Sequence, residues 1–334
     1  MRTRTDRRDR PRNEPDGLGE APNGQAPVPS GPSPLVTIGL PVFNGENYLR
    51  EALDGLLAQT FGDFELLISD NASTDATEHI CREYAARDPR IRYFRRQTNV
   101  GVVANHNDLL AVARGRYFKW VGHDDVYEPA LLARCVGALE ADPTAVLANV
   151  WDGVIDEEGR RITTPYRLQT EDPAPHVRFR SVLREDGGND FYGMFRTDVL
   201  RRMRPQGTYL HMDRVFVAQA SLIGRFHQIP EVLYYRRDHP QRASRAPSAR
   251  DVLRRLDPVR GDRLRHPLVR VYAEYVLGLV GAVMHAPLAW PERARSLREL
   301  AAFLGSRARL SVARQLVTGA APPAEVPVAP ERSP

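Results

Sequence analysis

The amino-acid sequence predicts an α/β protein built on a mainly parallel sheet with helices on both faces. Short apolar runs rich in β-branched residues recur through the first half of the chain, and each is followed by a stretch with apolar residues at helical spacing. Strands that alternate with helices of about ten to fifteen residues indicate βαβ units, whose strands run parallel. A Rossmann-like sheet is therefore expected.

Five strands and four helices are predicted in this first half. The run LVTIGLPVF at 35–43 is too short for a helix and is interrupted by Pro41, which favours a buried parallel strand. The stretch 47–59 places four leucines on one helical face. The other predicted strands are 64–69, 91–94, 117–121 and 146–151. The other predicted helices are 75–86, opened by a capping box, 103–113, and one that begins at Pro129.

The second half of the chain is less regular. A hairpin is predicted at 154–162, with its turn at the acidic residues and Gly159. The glycine- and aromatic-rich stretch GGNDFYGMF, 187–195, is expected to line a cleft. A helix is predicted to begin near His211, a strand to follow at 229–239, and an Arg-rich helical pattern to begin after Ser248.

Composition excludes several classes of protein. The two cysteines, Cys81 and Cys135, lie in helical patterns and are expected to be reduced core residues. The net charge is +5, and almost all of the positive charge comes from arginine, since Lys119 is the one lysine in the chain. No basic run is interleaved with aromatic residues, so no nucleic-acid partner is expected. The apolar stretch 271–290 is interrupted by charged residues and proline, which favours a buried or interfacial helix over a membrane span.

Polar residues follow three of the predicted strands. The carboxyl ends of parallel strands meet at one edge of a sheet, where ligands bind. The three groups are Asn44 and Gly45, Asp70 and Asn71, and His123, Asp124 and Asp125. A ligand site is therefore expected at this edge.

The adjacent Asp124 and Asp125 allow two interpretations. Two neighbouring carboxylates repel each other, and a hard cation such as Mg²⁺ or Mn²⁺ relieves that repulsion while completing its shell with phosphate oxygens. Alternatively, an acidic residue here caps the helix that follows Pro129. The sequence has no GxxxxGK[ST], HExxH, CxxC pair or GxSxG, so the other common catalytic motifs give no guidance.

The motifs VTIGLPVFN, FELLISDNASTDAT and NVGVVANHNDLLAVARGRYFKWVGHDD, in this order, closely resemble the family 2 glycosyltransferases of the GT-A fold. The resemblance spans roughly residues 36–239 and implies inverting transfer of a sugar from a nucleotide-sugar donor. It further implies a glycan, a lipid-linked molecule or a small molecule as acceptor, with roles in bacterial cell-surface or natural-product glycans, cell wall or polysaccharide biosynthesis.

The resemblance also implies roles for particular residues. Asp70 and Asn71 match an acidic pair beside the nucleobase, with Asn in the second position. A further group matches positions near the ribose and phosphates, although each of these residues is equally explained as a turn or helix-cap residue. The implied donor-binding residues are Pro41, Phe43, Asn44, Asp70, Asn71, Asn99, Asn105, Asp124, Arg236 and Arg237, with Gly101 and Asn107 in the same asparagine-rich stretch.

The metal-binding D-x-D-D region of the family corresponds to Gly122–Asp125, and its first aspartate is replaced by Gly122. The resemblance implies Asp125 as metal ligand, Asp124 as the second, and Mg²⁺ or Mn²⁺ as cofactor. It implies Asp213 as the base that takes the proton of the acceptor hydroxyl, where a helix cap or a salt bridge is the alternative. Asp190 is the reserve candidate.

The expected domain organisation follows from these assignments. Residues 1–34 and 320–334 are almost free of large apolar residues and are expected to be disordered. Residues 35–247 are expected to form the GT-A domain, with a nucleotide-binding half at 35–150 and an acceptor half at 151–247, and 248–319 a helical extension. A cytoplasmic enzyme is expected, with its basic C-terminal helices as candidate membrane contacts.

Two other functions stay open at this level. A sugar-1-phosphate nucleotidyltransferase also binds nucleotides over a parallel sheet, but the glycine- and lysine-rich signature that its chemistry uses after the first strand is absent. A degenerate relative that binds a nucleotide sugar without transferring it is favoured by Gly122 and disfavoured by the intact Asp124, Asp125 and Asp213.

Overall fold

The computed structural model describes residues 32–156, 160–163, 168–184, 189–240, 242, 246 and 248–306. The predictions for residues 1–31 and for the tail from 307 onward lie outside the described residues, as does the tip of the predicted hairpin at 157–159. The predicted domain boundaries are thus untested at both ends.

Within the described residues, nine strands form one sheet with the order β3-β2-β1-β4-β8-β6-β9-β5, and β7 pairs with β6. The strands are β1 (Val36–Val42), β2 (Phe64–Asp70), β3 (Ile91–Arg95), β4 (Tyr117–Trp120), β5 (Val126–Tyr127), β6 (Ala145–Ile155), β7 (Arg161–Thr163), β8 (Met194–Arg196) and β9 (Arg225–Arg237). The helices are α1 (Leu49–Leu57), α2 (Thr77–Arg87), α3 (Val102–Ala111), α4 (Leu131–Ala141), α5 (Pro175–Arg184), α6 (Thr197–Arg202), α7 (Met212–Ile223), α8 (Ala249–Leu256), α9 (Leu268–His285) and α10 (Trp290–Leu304).

The first half of the sheet confirms the parallel prediction. Strand β1 lies between β2 and β4 and pairs in parallel with both. All seven residues of β2 are buried, as are six of the seven in β1, because helices cover both faces of the sheet. Leu49, Leu53 and Leu56 of α1 face this core, as the leucine spacing predicts. The carboxyl ends of β1, β2 and β4 therefore meet at one edge.

The second half of the sheet corrects one prediction. Residues 187 and 188 of the predicted cleft lining lie outside the described residues, and residues 194 and 195 do not line a cleft, because β8 inserts antiparallel between β4 and β6. Met194 and Phe195 are fully buried in the core. Only three residues form this strand, and glycine and aromatic residues surround it, so no strand periodicity was visible in the sequence. With β8 between them, β4 and β6 still run in the same direction, and β9 is parallel to β6.

The start of α2 differs from a reciprocal capping box. Asp75 Oδ1 accepts from the Thr77 backbone N–H at 3.0 Å, as a cap should. Glu78 turns instead to Arg82 and Arg95, and Asp75 Oδ2 accepts from the Glu46 N–H at 3.1 Å. The Asp75 side chain therefore joins the loop after β2 to the loop after β1, and it does not form a reciprocal pair with Glu78.

The C-terminal helices pack on the second half of the core. Helix α9 lies against α7 through Tyr275 and Leu279, and α10 lies against α5 and α9. In the part of the chain that is described, α9 alone is long and apolar enough to cross a membrane, and a third of it is buried in the protein. Cys81 and Cys135 are buried free thiols, as predicted, and burial raises the pKa of both.

His106 makes the fold sensitive to acid. The ring is buried among Phe191 and Trp120, and its Nδ1 lies 3.1 Å from Gln206 Oε1. Burial lowers the pKa of His106 from 6.5 to about 4. Between pH 6.5 and 4, His106 is protonated in the unfolded chain but still neutral in the folded protein. The free energy of unfolding should therefore fall by roughly 3 kcal/mol as pH drops through this range. Denaturant melts of wild type and His106→Gln over this range should diverge, and parallel curves would contradict this assignment.

Candidate active site

The loops after β1 and β2 are joined at the edge of the sheet. The Asn44 backbone has a positive φ of 51°, a conformation that asparagine tolerates better than most residues. Its N–H donates to Ser73 Oγ at 2.9 Å, and its Oδ1 accepts from the Thr74 N–H at 2.9 Å. Asn44 thus holds the two loops together, while Phe43 beside it is 43 % exposed. The exposed ring is the feature free to meet a ligand.

Asp70 is fully buried beneath this edge. Its two carboxylate oxygens accept from the Ser73 N–H at 2.8 Å and the Tyr93 hydroxyl at 2.9 Å, and Arg95 lies 3.4 Å away. Burial raises the pKa of the Tyr93 phenol and the Asp70 charge raises it further, which keeps this phenol a donor. Asp70 therefore orders the loop.

The asparagine-rich stretch is also joined to this edge. Asn71 Oδ1 accepts from the Val100 N–H at 3.0 Å, and its Nδ2 donates to Asn99 Oδ1 at 3.0 Å. Asn105 lies deeper, where its Nδ2 donates to the Ser69 carbonyl at 2.9 Å. Asn107 bonds the Gln206 backbone in both directions. Asn71 and Asn99 thus lie together at the edge, whereas Asn105 and Asn107 brace α3.

Asp124 lies beside His239, which follows it by 115 positions in the chain. His239 Nε2 is 2.9 Å from Asp124 Oδ2, and the Asp124 side chain retains 18 % of its exposed surface. The His239 ring packs on Tyr48, with ring centroids 4.8 Å apart. Burial opposes ionisation of Asp124, but the charge of His123 and the hydrogen bond of His239 outweigh it and hold the pKa of Asp124 below its usual value. A carboxylate and an imidazole nitrogen therefore stand together at the sheet edge.

Asp125 points the other way, into the core. Its Oδ2 accepts from the Tyr234 hydroxyl at 2.7 Å and its Oδ1 from the Arg237 N–H at 3.1 Å. Burial and the charge of Asp124 raise the pKa of Asp125 to about 6, against these two hydrogen bonds. Asp125 thus attaches the end of β9 to the loop after β4, and this attachment is what brings His239 over Asp124.

Gly122 has no space for a side chain. A Cβ at this position would lie 2.5 Å from Asp125 Oδ2 and 2.9 Å from Asp124 Oδ1. Its carbonyl accepts from the Tyr127 hydroxyl at 2.8 Å. The two aspartates fold over the glycine, so an aspartate at 122 would require both of them to move.

The arginines near His239 differ in their hydrogen-bond partners and in their burial. Arg237 Nε donates to the Asp124 carbonyl at 2.9 Å, and its Nη2 pairs with Glu51 at 2.6 Å. Arg236 is half-buried one residue earlier. Sequence reasoning missed Arg242, which a turn brings back against His239 through a backbone hydrogen bond of 3.1 Å. Burial raises the pKa of Asp125 and of Tyr192, and the positive charge of Arg242 lowers both, so the Arg242 guanidinium lies near these two groups. No strand or helix pattern marks 240–247, and this is why the residue was missed.

Asp213 lies in the first turn of α7. Its Oδ1 accepts from the Arg214 N–H at 2.8 Å, and its side chain is half-buried. Burial raises the pKa of the Tyr192 phenol, and the charges of Asp125, Asp124 and Asp213 raise it further. The charges of these three carboxylates therefore act on one phenol.

The reserve candidate Asp190 is held differently. It is 1 % exposed, and its Oδ1 accepts from Asn149 Nδ2 at 2.8 Å. Asp190 therefore belongs to the core beneath the site, whereas Asp213 is open to solvent.

The chain belongs to glycosyl transferase family 2, because the family's model matches residues 37–203, half of the 334 residues. The match ends before Asp213, His239 and Arg242, so this part of the site lies beyond it.

Related proteins and structures agree with this assignment. A protein of Mycobacterium tuberculosis is 44 % identical over 122 residues, 36 % of this chain and 35 % of that protein. A glycosyltransferase of Rickettsia typhi is 42 % identical over 131 residues, 39 % of this chain and 40 % of that protein. The matches thus span well under half of these relatives.

Solved structures support the GT-A fold. The crystal structure of S. aureus TarS has a TM-score of 0.58 at 19 % identity and covers 83 % of this chain and 44 % of that one. Its 1–349 fragment in complex with UDP has a TM-score of 0.57 at 20 % identity, covering 80 % and 70 %. At this identity the likeness concerns the fold alone.

Proposed function

We propose that the protein transfers a sugar from a nucleoside-diphosphate sugar to an acceptor hydroxyl, with inversion at the anomeric carbon. The observation that carries this proposal is the pairing of Asp124 with His239 at the carboxyl edge of the sheet. A further acidic residue, Asp213, is near enough for its charge to act on Tyr192 together with the charge of Asp124. Direct displacement requires a cation that stabilises the charge on the departing diphosphate and a base on the opposite side of the sugar. A carboxylate that could hold the cation and a candidate base are available here on separate elements.

The residues fit a divalent cation that is completed by the substrate. Asp124 supplies a carboxylate and His239 an imidazole nitrogen, side by side. No group of three or more acidic, histidine or cysteine side chains that could hold a metal occurs among the described residues. Two protein ligands plus diphosphate oxygens and water suit Mg²⁺ or Mn²⁺, which when bound would neutralise charge on the departing diphosphate. We infer that Asp124 is the ligand rather than Asp125, because Tyr234 and Arg237 already occupy both oxygens of Asp125.

The donor site is proposed along the same edge. Phe43 is an exposed ring that could pack on a nucleobase, with Pro41 beside it. Asn99, which is exposed, would contact the base or ribose. Asn44, Asp70 and the buried Asn71 would act by ordering the loops around it. Arg236 and Arg242 are proposed to face the diphosphate, whereas Arg237 positions the Asp124 loop.

Asp213 is proposed as the base that removes the acceptor proton during attack. It is partly open to solvent, and α7 fixes its position. The acceptor would enter between α7 and the loop around Asp124. The C-terminal helices border this side, because α9 packs on α7.

A titration of the purified protein tests the donor proposal. Nucleotide sugars and nucleoside diphosphates are added with Mn²⁺ or with EDTA, and thermal stabilisation is followed. The solved relative binds UDP, so UDP sugars come first. A metal-dependent rise in melting temperature, followed by a product of inverted configuration, is expected. Stabilisation without turnover by any donor would favour the binding-only alternative.

Arg242→Gln should weaken binding of the nucleoside diphosphate about tenfold. A charge-assisted hydrogen bond to a phosphate contributes about 1.5–3 kcal/mol, and glutamine is polar and unbranched but shorter and uncharged. Calorimetry with the diphosphate that stabilises wild type measures the effect. Arg202→Gln, which removes an equal charge from an exposed helix, is the control. Equal affinities for both variants would remove Arg242 from the site.

A further inference from the structure

Exposed large apolar side chains are concentrated in one part of the protein. Apart from Phe43 in the donor site, all of those found in the described residues lie between 259 and 290. Single exposed apolar residues are normal when they are scattered, but a concentrated set marks an interaction surface. They are Val259, Leu264, Val269, Leu277, Met284 and Trp290.

Helix α9 presents one apolar face to solvent. Val269, Ala273, Leu277 and Met284 are exposed and recur at intervals of four, four and seven residues, which places them on one side of the helix. We call these four residues the α9 face. The opposite side, with Tyr275 and Leu279, is buried against the core that contains α7. The helix therefore cannot enter a bilayer lengthwise without leaving that core, and lies as a surface element.

Both ends of α9 combine an apolar tip with arginine. Leu264 is 93 % exposed between Arg263 and Arg265, which are also exposed. Trp290 is 73 % exposed, and the Arg293 guanidinium lies 5.5 Å from its ring centre. Arg293 also donates to the carbonyls of Ala286 and Leu288 at 3.1 Å, which fixes the turn that carries the tryptophan.

The charge of this part of the chain is positive. Residues 248–306 contain ten arginines and six acidic residues, a net charge of +4. Two copies of this surface would repel each other, whereas a surface of negative charge would attract it. Apolar side chains flanked by arginine and tryptophan match the boundary between headgroups and acyl chains of an anionic membrane.

We propose that the α9 face, with Leu264 and Trp290 at its ends, docks on an anionic lipid bilayer with the helix parallel to the membrane plane. Because α9 packs on α7, whose first turn holds Asp213, docking would bring the acceptor side of the site close to the lipid headgroups. This last step, which implies a lipid-linked acceptor, rests on the proposed function; the docking itself does not.

Vesicle binding by the full chain tests the proposal. Vesicles of phosphatidylcholine alone and of an equal mixture with phosphatidylglycerol are pelleted with wild type, Leu277→Glu and Ala86→Glu. Ala86→Glu adds the same charge at an exposed position of α2 and is the matched control. Wild type and the control should bind the anionic vesicles, and Leu277→Glu should bind them about tenfold more weakly. Melting temperatures should stay equal, since Leu277 is exposed.

Three results would overturn the docking surface. They are absence of binding to anionic vesicles, equal binding by Leu277→Glu and wild type, and a dimer in light scattering that Leu277→Glu converts to monomer without any vesicle binding. The last would assign the face to a second copy of the chain. Diphosphate affinity, measured on the same variants without vesicles, should be unchanged. If the wild type itself bound no nucleotide, that result would count against the proposed function and not against the docking surface.

Discussion

Asp213→Asn is expected to lower turnover of the donor about a thousandfold while leaving donor affinity unchanged. General bases contribute about 10²- to 10⁴-fold to proton-transfer steps, and an amide cannot accept the proton. The variant should fold normally, because asparagine Oδ1 can still accept from the Arg214 N–H. Turnover is measured with the donor that stabilises the wild type, and its affinity by calorimetry.

Asp190→Asn tests whether Asp190, the reserve candidate, acts as the base in place of Asp213. Asp190 is buried and accepts from Asn149, so its replacement should lower the melting temperature more than the turnover per folded molecule. The assignment of Asp213 fails if Asp213→Asn turns over normally while Asp190→Asn is inactive at unchanged stability. If both variants turn the donor over as fast as wild type does, the protein uses another base. If the wild type and both variants bind the donor without turnover, the protein is a binder.

Asp124→Asn should abolish the effect of Mn²⁺ on diphosphate binding, with a loss in affinity of about a hundredfold. The change removes the partly buried carboxylate that faces His239 and would leave the diphosphate charge uncompensated. His239→Gln should act in the same direction more weakly. The measurement is a diphosphate titration with Mn²⁺ and with EDTA, in which the variant should give the same affinity under both conditions.

Asp125→Asn provides the contrast. Its amide group would place a donor against the Tyr234 hydroxyl or the Arg237 N–H, so the melting temperature should fall while a response to Mn²⁺ persists. The opposite pattern, in which Asp125→Asn is stable but unresponsive to metal and Asp124→Asn still responds, would return the metal to Asp125. The sequence alone favours that assignment.

The adjacent residues Asp70 and Asn71 show where sequence reasoning reaches its limit. A resemblance assigns a position, but it does not say whether the side chain at that position faces solvent. The Asp70 carboxylate is enclosed by Ser73 and Tyr93, and the Asn71 amide is held by Val100 and Asn99. Both side chains are therefore buried while Asn99 stays exposed, and the contacts that decide this come mostly from residues more than twenty positions away.

What the sequence by itself determined was the α/β class, the parallel strands β1 to β4, the family and the sheet edge that carries the candidate site. These follow from local periodicity and from motifs with regular spacing, since a strand that is apolar throughout has one stable place, between two helical layers. The tertiary structure decided that β8 inserts antiparallel, that Arg242 returns to the site, and that His239 lies over Asp124. Those contacts join residues more than forty positions apart or lie in segments without periodicity, so no local pattern could encode them.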